Sequence, residues 1–158
     1  MIKTVKLAYL SDRKFLELYD RPILNDDLYC LDHGPIDSMT LNLIKGDASN
    51  ENKKLWSEYL TAVDPETYAF GIAKNDIYFD ELSEAEEAVL KDLAQEFRTM
   101  KPFELVDWVH ANCREWSSPK GTSVPLTYAD VFKALGKKKP EKSVEHVDKT
   151  RARFQATA

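Results

Sequence analysis

Two short pairs in this chain have the residue types and spacing for metal or thiol chemistry. Cys30 and His33 stand three positions apart, and His110 and Cys113 repeat that spacing in reverse order. Four such donors could hold tetrahedral zinc. Against zinc, the pairs are widely separated, and structural sites usually show tighter paired knuckles. A cysteine also serves well as a small buried apolar residue. In a thiol reading Cys30 or Cys113 is the nucleophile, and His110 could act as base to Cys113, because side chains three apart meet on a helix. Nothing resembling an oxyanion-hole loop accompanies either cysteine.

Other chemistry finds less to work with. The acidic pairs Asp26-Asp27 and Glu86-Glu87 read as loop and cap residues rather than catalytic dyads. With five glycines in all, no phosphate-cradling loop is present. Trp56, Trp108 and Trp116 read as core and rim residues, since base stacking would need basic neighbours. The residues themselves define no catalytic constellation and no cofactor, which favours a binding protein over an enzyme.

Charge narrows the partners. The chain has 158 residues and a net charge of -5, distributed unevenly. Residues 137–158 carry seven Lys and Arg against three carboxylates, so the tail is at +4 and residues 1–136 are at -9. An acidic body disfavours phosphate backbones, which leaves the basic tail as the only segment suited to nucleic acid. No apolar run approaches the roughly 18 residues that span a bilayer. No secretory signal is read at the N-terminus, and two cysteines make no disulfide framework, so a reduced, cytoplasmic setting is expected.

The elements that must position these residues follow from local signals. Helical spacing over 3–20 turns Val5, Tyr9, Leu16 and Tyr19 inward, with Leu7, Leu10 and Leu18 widening the stripe. Asp20-Arg21-Pro22 stops that helix. A short strand is expected over 28–32, and His33-Gly34-Pro35-Ile36 reads as a sharp turn. Ser38 is placed to cap a helix running to Ile44 and closed by Gly46. A second helix follows over 55–60. Tyr68, Phe70 and Ile72, then Ile77 and Phe79, alternate around Lys74-Asn75-Asp76 as a β-hairpin. Ser83 and Glu86 form a capping box opening a helix to about Thr99, with Val89, Leu90, Leu93 and Phe97 inward. Pro102 opens a helix that carries Phe103, Leu105, Val106 and Val109 to Cys113. Residues 114–125 read as irregular, and Thr127 caps a helix over 128–135 ended by Gly136. The expected fold is mainly α with a small antiparallel β element, a single helical domain over 1–136. A basic tail over 137–158 is helical or disordered, and Val144, Val147 and Phe154 form a helix there only if something packs on them.

At this point the order of motifs resembles a known family. Lys6-Leu7-Ala8-Tyr9-Leu10-Ser11-Asp12-Arg13, then Tyr19-Asp20-Arg21-Pro22-Ile23, then Leu31-Asp32-His33-Gly34-Pro35-Ile36-Asp37-Ser38 resemble the opening of the Panacea domain of SocA-type antitoxins and phage-encoded proteins. Leu82-Ser83-Glu84, the run from Glu104 to His110, and Pro125-Leu126-Thr127-Tyr128 through Gly136 are similar to its later segments, so the resemblance covers roughly 3–136. Asp20 stands where the family usually has glycine. The family usually has a further helix before the segment that begins here at Met1, so helix 3–20 is expected to need cover from a partner, a second copy or the tail.

The resemblance implies an antitoxin that neutralises a protein toxin by direct binding, with delivery to a protease as an adaptor in the SocA variant. A phage accessory protein that binds a host protein is the alternative on the same fold, and a zinc- or thiol-dependent hydrolase the alternative of another class. The residues it marks as toxin contacts or as scaffold are Asp12, Arg13, Tyr19, Arg21, Pro22, His33, Gly34, Pro35, Ser38 and His110. Neither a cofactor nor a membrane enters this reading, and a homodimer remains open within it.

Overall fold

Helix α1 (Ile2–Tyr19) is the element on which the others pack, because its apolar stripe is wide enough to meet neighbours on several sides. The computed structural model describes residues 1–74, 76–78 and 80–157. Val5, Tyr9, Leu10, Phe15 and Leu16 of α1 are buried. Tyr19 and Leu18, both expected inside, lie half exposed at its C-terminal end. The helix ends one residue later than these, where Asp20 adopts the left-handed conformation at φ 56°. Aspartate thus makes the turn that glycine usually makes, and its N–H donates to the Leu16 carbonyl at 3.1 Å.

Strand β1 (Leu28–Leu31) is the middle of a three-stranded antiparallel sheet. It pairs on one side with β2 (Gly34–Asp37), Leu31 opposite Gly34 and Leu28 opposite Asp37. The sharp turn is therefore Asp32-His33, and Gly34-Pro35 belongs to a strand rather than to the bend. The sheet's other edge is β3 (Val124–Leu126), with Cys30 opposite Val124 and Leu28 opposite Leu126. Its three residues include a proline and leave two side chains exposed, so no two-residue period marks it within the irregular 114–125 stretch.

Helix α2 (Ser38–Lys45) leaves β2 directly and ends at left-handed Gly46, as the sequence indicates. Helix α3 (Asn50–Tyr59) is capped by the Ser49 side chain. Of the hairpin expected over 68–79, no ladder between its two arms is present among the described residues, and Ile72 instead makes one antiparallel bridge to Leu60. Asn75 of its turn and Phe79 of its second arm lie outside the described residues.

The capping box at Ser83 and Glu86 opens α4 (Glu84–Glu96), which buries Val89 and Leu93, with Phe97 buried at its C-cap; Leu90 is only half-buried. Pro102 is the first residue of α5 (Pro102–Asn112), whose Leu105, Val106 and Val109 are buried while Phe103 points out. Thr127 and Asp130 form the capping box of α6 (Tyr128–Ala134). Beyond Gly136, α7 (Pro140–Thr157) is a full helix, and something does pack on it: Val147 is completely buried in the main core. Of the other two residues expected on its inner face, Val144 packs at the edge of that core, and the Phe154 side chain lies outside the described part.

The main core is built by α1, β1, α4, α5, α6 and α7 around Phe15, Phe97, Leu105 and Phe132. Burying each such side chain contributes about 1.5–3 kcal/mol. A smaller cluster of Val5, Ile36 and Ile44 is closed by Trp56, Val63 and Phe70. The fold is α+β, with seven helices and one small sheet among the described residues. No helix is long and apolar enough to cross a membrane.

Candidate functional site

The motif side chains converge on a buried polar frame rather than on a cleft. Asp12, wholly buried on α1, accepts the backbone N–H groups of Ile23 and Leu24 at 2.8 Å each through Oδ1. It thereby fastens the segment after Pro22 back onto the helix. Its Oδ2 has no partner. Burial pushes the Asp12 carboxyl up to about 7, despite the two N–H groups that favour its charge, and the nearby Asp26 and Glu86 add to the rise.

Six residues earlier on the same helix, Lys6 is also buried and donates to the Pro35 carbonyl at 2.9 Å. Burial pushes this lysine down to about 8, against the pull of Cys113, Asp37 and Cys30. Gly34 is required beside it. At φ 104° it suits no L side chain, and a Cβ there would stand 3.0 Å from Val109 Cγ1 and 3.2 Å from Lys6 Nζ. Asp37, the last residue of β2, is fully buried with both oxygens unpartnered. Burial, with Asp12 and Asp26 close by, raises it well above the usual carboxylate range.

Ser38 does not cap α2; it is the first helical residue, and its N–H donates to the Asp27 carbonyl at 2.9 Å. Asp26 caps the helix from a distance, accepting from Met39 and Thr40 at 2.9 and 3.1 Å. This agrees with the cap role expected for the Asp26-Asp27 pair. Tyr128 of α6 donates to the Asp26 carbonyl at 2.7 Å and ties the frame to the second half of the chain.

The two motif arginines make long-range ion pairs. Arg13 meets Glu115 at 2.6 Å, and the Tyr9 hydroxyl donates to the same oxygen at 2.7 Å. The Glu115 side chain is fully buried. Arg21 binds Glu86 at 2.9 Å and lies 4.7 Å from the Phe15 ring centre. The other Glu86 oxygen accepts from the Ser83 N–H and hydroxyl, so the α4 capping box and the Asp-Arg-Pro motif share one carboxylate. Burial works to raise Glu86, but the Ser83 and Arg21 hydrogen bonds win and hold it below its usual value.

The four zinc candidates do not assemble. His33 is exposed at the hairpin turn with its ring edge-on to Phe103, while Cys30 and Cys113 are buried in the core as free thiols. His110 stacks on Trp116 at 3.7 Å and is held down by burial and by the Lys6 charge. No three His, Cys, Asp or Glu side chains among the described residues form a metal-holding group. Tyr19 contacts Phe15 at 4.4 Å between ring centres, and Pro22 lies in the segment held by Asp12.

Sequence reasoning missed Lys6, Asp37 and Glu115, and it did not say which helix Asp26 caps. For Lys6 a signal existed: it lies between Val5 and Tyr9 on the apolar face of α1. Asp37 lies inside the Leu31–Ser38 motif, which does not by itself reveal its burial, and nothing in the local sequence distinguishes Glu115 from a surface carboxylate.

The family model for the antitoxin SocA-like, Panacea domain matches residues 5–117. The matched range takes in the buried frame and stops before β3, α6 and α7, including the Pro125 to Gly136 segment read as similar to the family's end. Neither a curated protein nor a solved structure gives a significant match.

Proposed function

The chain belongs to the antitoxin SocA-like, Panacea domain family, and on that premise we propose that it neutralises a protein toxin by binding it directly. The family match over residues 5–117 carries this reading. The use the fold makes of the motif supports it. Asp12 through Oδ1, with Lys6, Arg13 and Arg21, makes polar contacts within the fold, so recognition falls to the surface they hold in place. Thiol chemistry gains no such support. Burial pushes the Cys113 thiol up to about 12, with Glu115 adding to the rise, and a protonated buried thiol is a poor nucleophile.

Occlusion asks little of the molecule. A standard interface takes about 800 Å² from each partner, under a tenth of the chain's accessible surface of 10286 Å². The finer roles, delivery of the toxin to a protease or capture of a host protein by a phage product, would use the same binding step.

The test is co-expression. The reading frame beside this gene is induced with and without the chain, and growth and co-purification are followed. Growth arrest relieved by the chain, with a stoichiometric complex recovered, is expected. A neighbour that is harmless alone, or equally toxic in both settings, sinks the proposal. Toxin that disappears only when a cellular protease is active identifies the adaptor variant.

A further inference from the structure

The chain's whole net charge resides in one segment. Residues 47–81 hold eight carboxylates and three lysines, a net of -5, so the other residues sum to zero. None of these eight carboxylates is in an ion pair among the described residues, although carboxylates elsewhere pair with Arg13, Arg21, Lys137 and Arg151.

The same segment presents apolar side chains outward. Its inner side is settled, because Trp56, Val63 and Phe70 pack against the small cluster of Val5, Ile36 and Ile44. Its outer side carries Leu55 and Tyr59 on α3, spaced to share a face, together with Tyr68 and Ile72, which are 60% and 65% exposed. Backbone bonds bring these parts together: Thr61 donates to Gly71 and Ala73 to Tyr59, at 2.9 and 2.8 Å. The loop is pinned near its tip, where the Met1 nitrogen donates to the Tyr68 carbonyl at 2.7 Å. Within 55–74 the arm therefore presents aromatic and aliphatic anchors beside three carboxylates without an ion pair, Glu58, Asp64 and Glu66. Its one cation, Lys74, lies 5.1 Å over the Tyr59 ring, which leaves a net of -2 on a defined backbone.

We infer that this arm, residues 55–74, is the docking surface for the toxin, and that the toxin meets it with a face rich in lysine and arginine. The inference rests on the antitoxin reading and adds the partner's chemistry. Charge complementarity selects that partner. A second copy docking arm to arm would bring the same negative field and be repelled, and nucleic acid is repelled for the same reason. Apolar anchors ringed by polar groups are the usual anatomy of a binding face, with the anchors governing dissociation and the charges governing encounter.

The probe is the toxin recovered in the co-expression experiment, presented to the full chain on a sensor surface. Raising salt from 50 to 500 mM should slow association by at least about tenfold. The variant Glu58→Lys/Glu66→Lys should slow association about tenfold at low salt, with dissociation little changed. Tyr59→Ser/Ile72→Ser should speed dissociation at least about tenfold. Phe103→Ser, at an exposed apolar residue on α5, should bind as the wild type does, and thermal melts check that every variant is folded. Wild-type binding that neither double variant disturbs would overturn the surface while leaving the antitoxin reading intact. Loss on the apolar variant with no response to salt or charge reversal would overturn the basic partner. Self-association of the chain that Tyr59→Ser/Ile72→Ser abolishes would assign the arm to a second copy and refute the proposal. A wild-type chain that binds no neighbouring product fails at the earlier step, and the antitoxin reading falls with it.

Discussion

Replacing Asp12 with asparagine should make the protein less sensitive to pH, and the structure sets the size of the change. Asparagine keeps an oxygen for the Ile23 and Leu24 N–H groups but cannot ionise. In the wild type the Asp12 carboxyl rises from its ordinary 3.8 to about 7 in the folded state, chiefly through burial. The folded value is above the unfolded one, so the contribution to stability is whole below about pH 4 and is lost as pH rises through about 7. Each pH unit between those values is worth about 1.4 kcal/mol. Between pH 5 and 8 the wild type should therefore lose about 2–3 kcal/mol relative to Asp12→Asn. Asp37, raised chiefly by burial and in part by Asp12, adds in the same direction. Removing the Asp12 charge lessens its rise and so widens the difference between the two proteins. Lys6 is lowered to about 8, so its contribution is present above about 10.5 and already lost below 8, outside this window. His110, lowered by burial, runs the opposite way near neutrality, and the comparison cancels it. Urea unfolding curves followed by tryptophan fluorescence, taken at each pH, supply the measurement. Parallel stability curves for the two proteins would refute the reasoning, because they would mean that Asp12 ionises in the folded protein as readily as in the unfolded one.

Three further outcomes are expected. Arg21→Ala should cost about 1–2 kcal/mol through the lost Glu86 bond and Phe15 contact; a double-mutant cycle with Glu86→Gln that gives strict additivity would deny the coupling. Gly34→Ala should cost about 1–3 kcal/mol, from a left-handed φ and a 3.0 Å approach to Val109 Cγ1, whereas Gly121→Ala, strained in φ with nothing within 4 Å, should cost less on the same thermal assay. Val147→Ala should lower stability by about 2 kcal/mol, for two methyl groups removed from a fully buried site; an unchanged midpoint in urea would mean that α7 is not part of the core.

The legible parts of the fold were those with local signals. The α1 stripe up to Leu16, the Ser83 capping box, the Thr127 cap and the Gly46 stop each depend on residues close in sequence, and they are found where the sequence places them. The misread parts depend on distant partners. Gly34 and Pro35 are turn residues by type, yet they form a strand because β1 pairs with them and Lys6 takes the Pro35 carbonyl. The alternation of Tyr68, Phe70 and Ile72 resembles a strand with one buried face, yet only Phe70 finds a core to enter. The site was legible as a motif but not as a mechanism of folding, since Asp12, Arg13 and Arg21 act through residues 11, 102 and 65 positions away.

The left-handed turn at Asp20 has a consequence for how the chain is made. Its carboxylate is braced by the Ser143 hydroxyl at 3.2 Å and by Lys137 at 2.9 Å, while Arg151 reaches back to Asp27 at 2.7 Å. A ribosome adding about 5–20 residues per second needs roughly 6–25 s to travel from Asp20 to Ser143. During that interval the turn rests on its local bonds alone, from Asp20 to Leu16 and from Ile23 and Leu24 to Asp12, without its side-chain braces from beyond Gly136. The Asp20 turn is thus made well before the residues that brace it, and full bracing waits on Lys137 and Ser143.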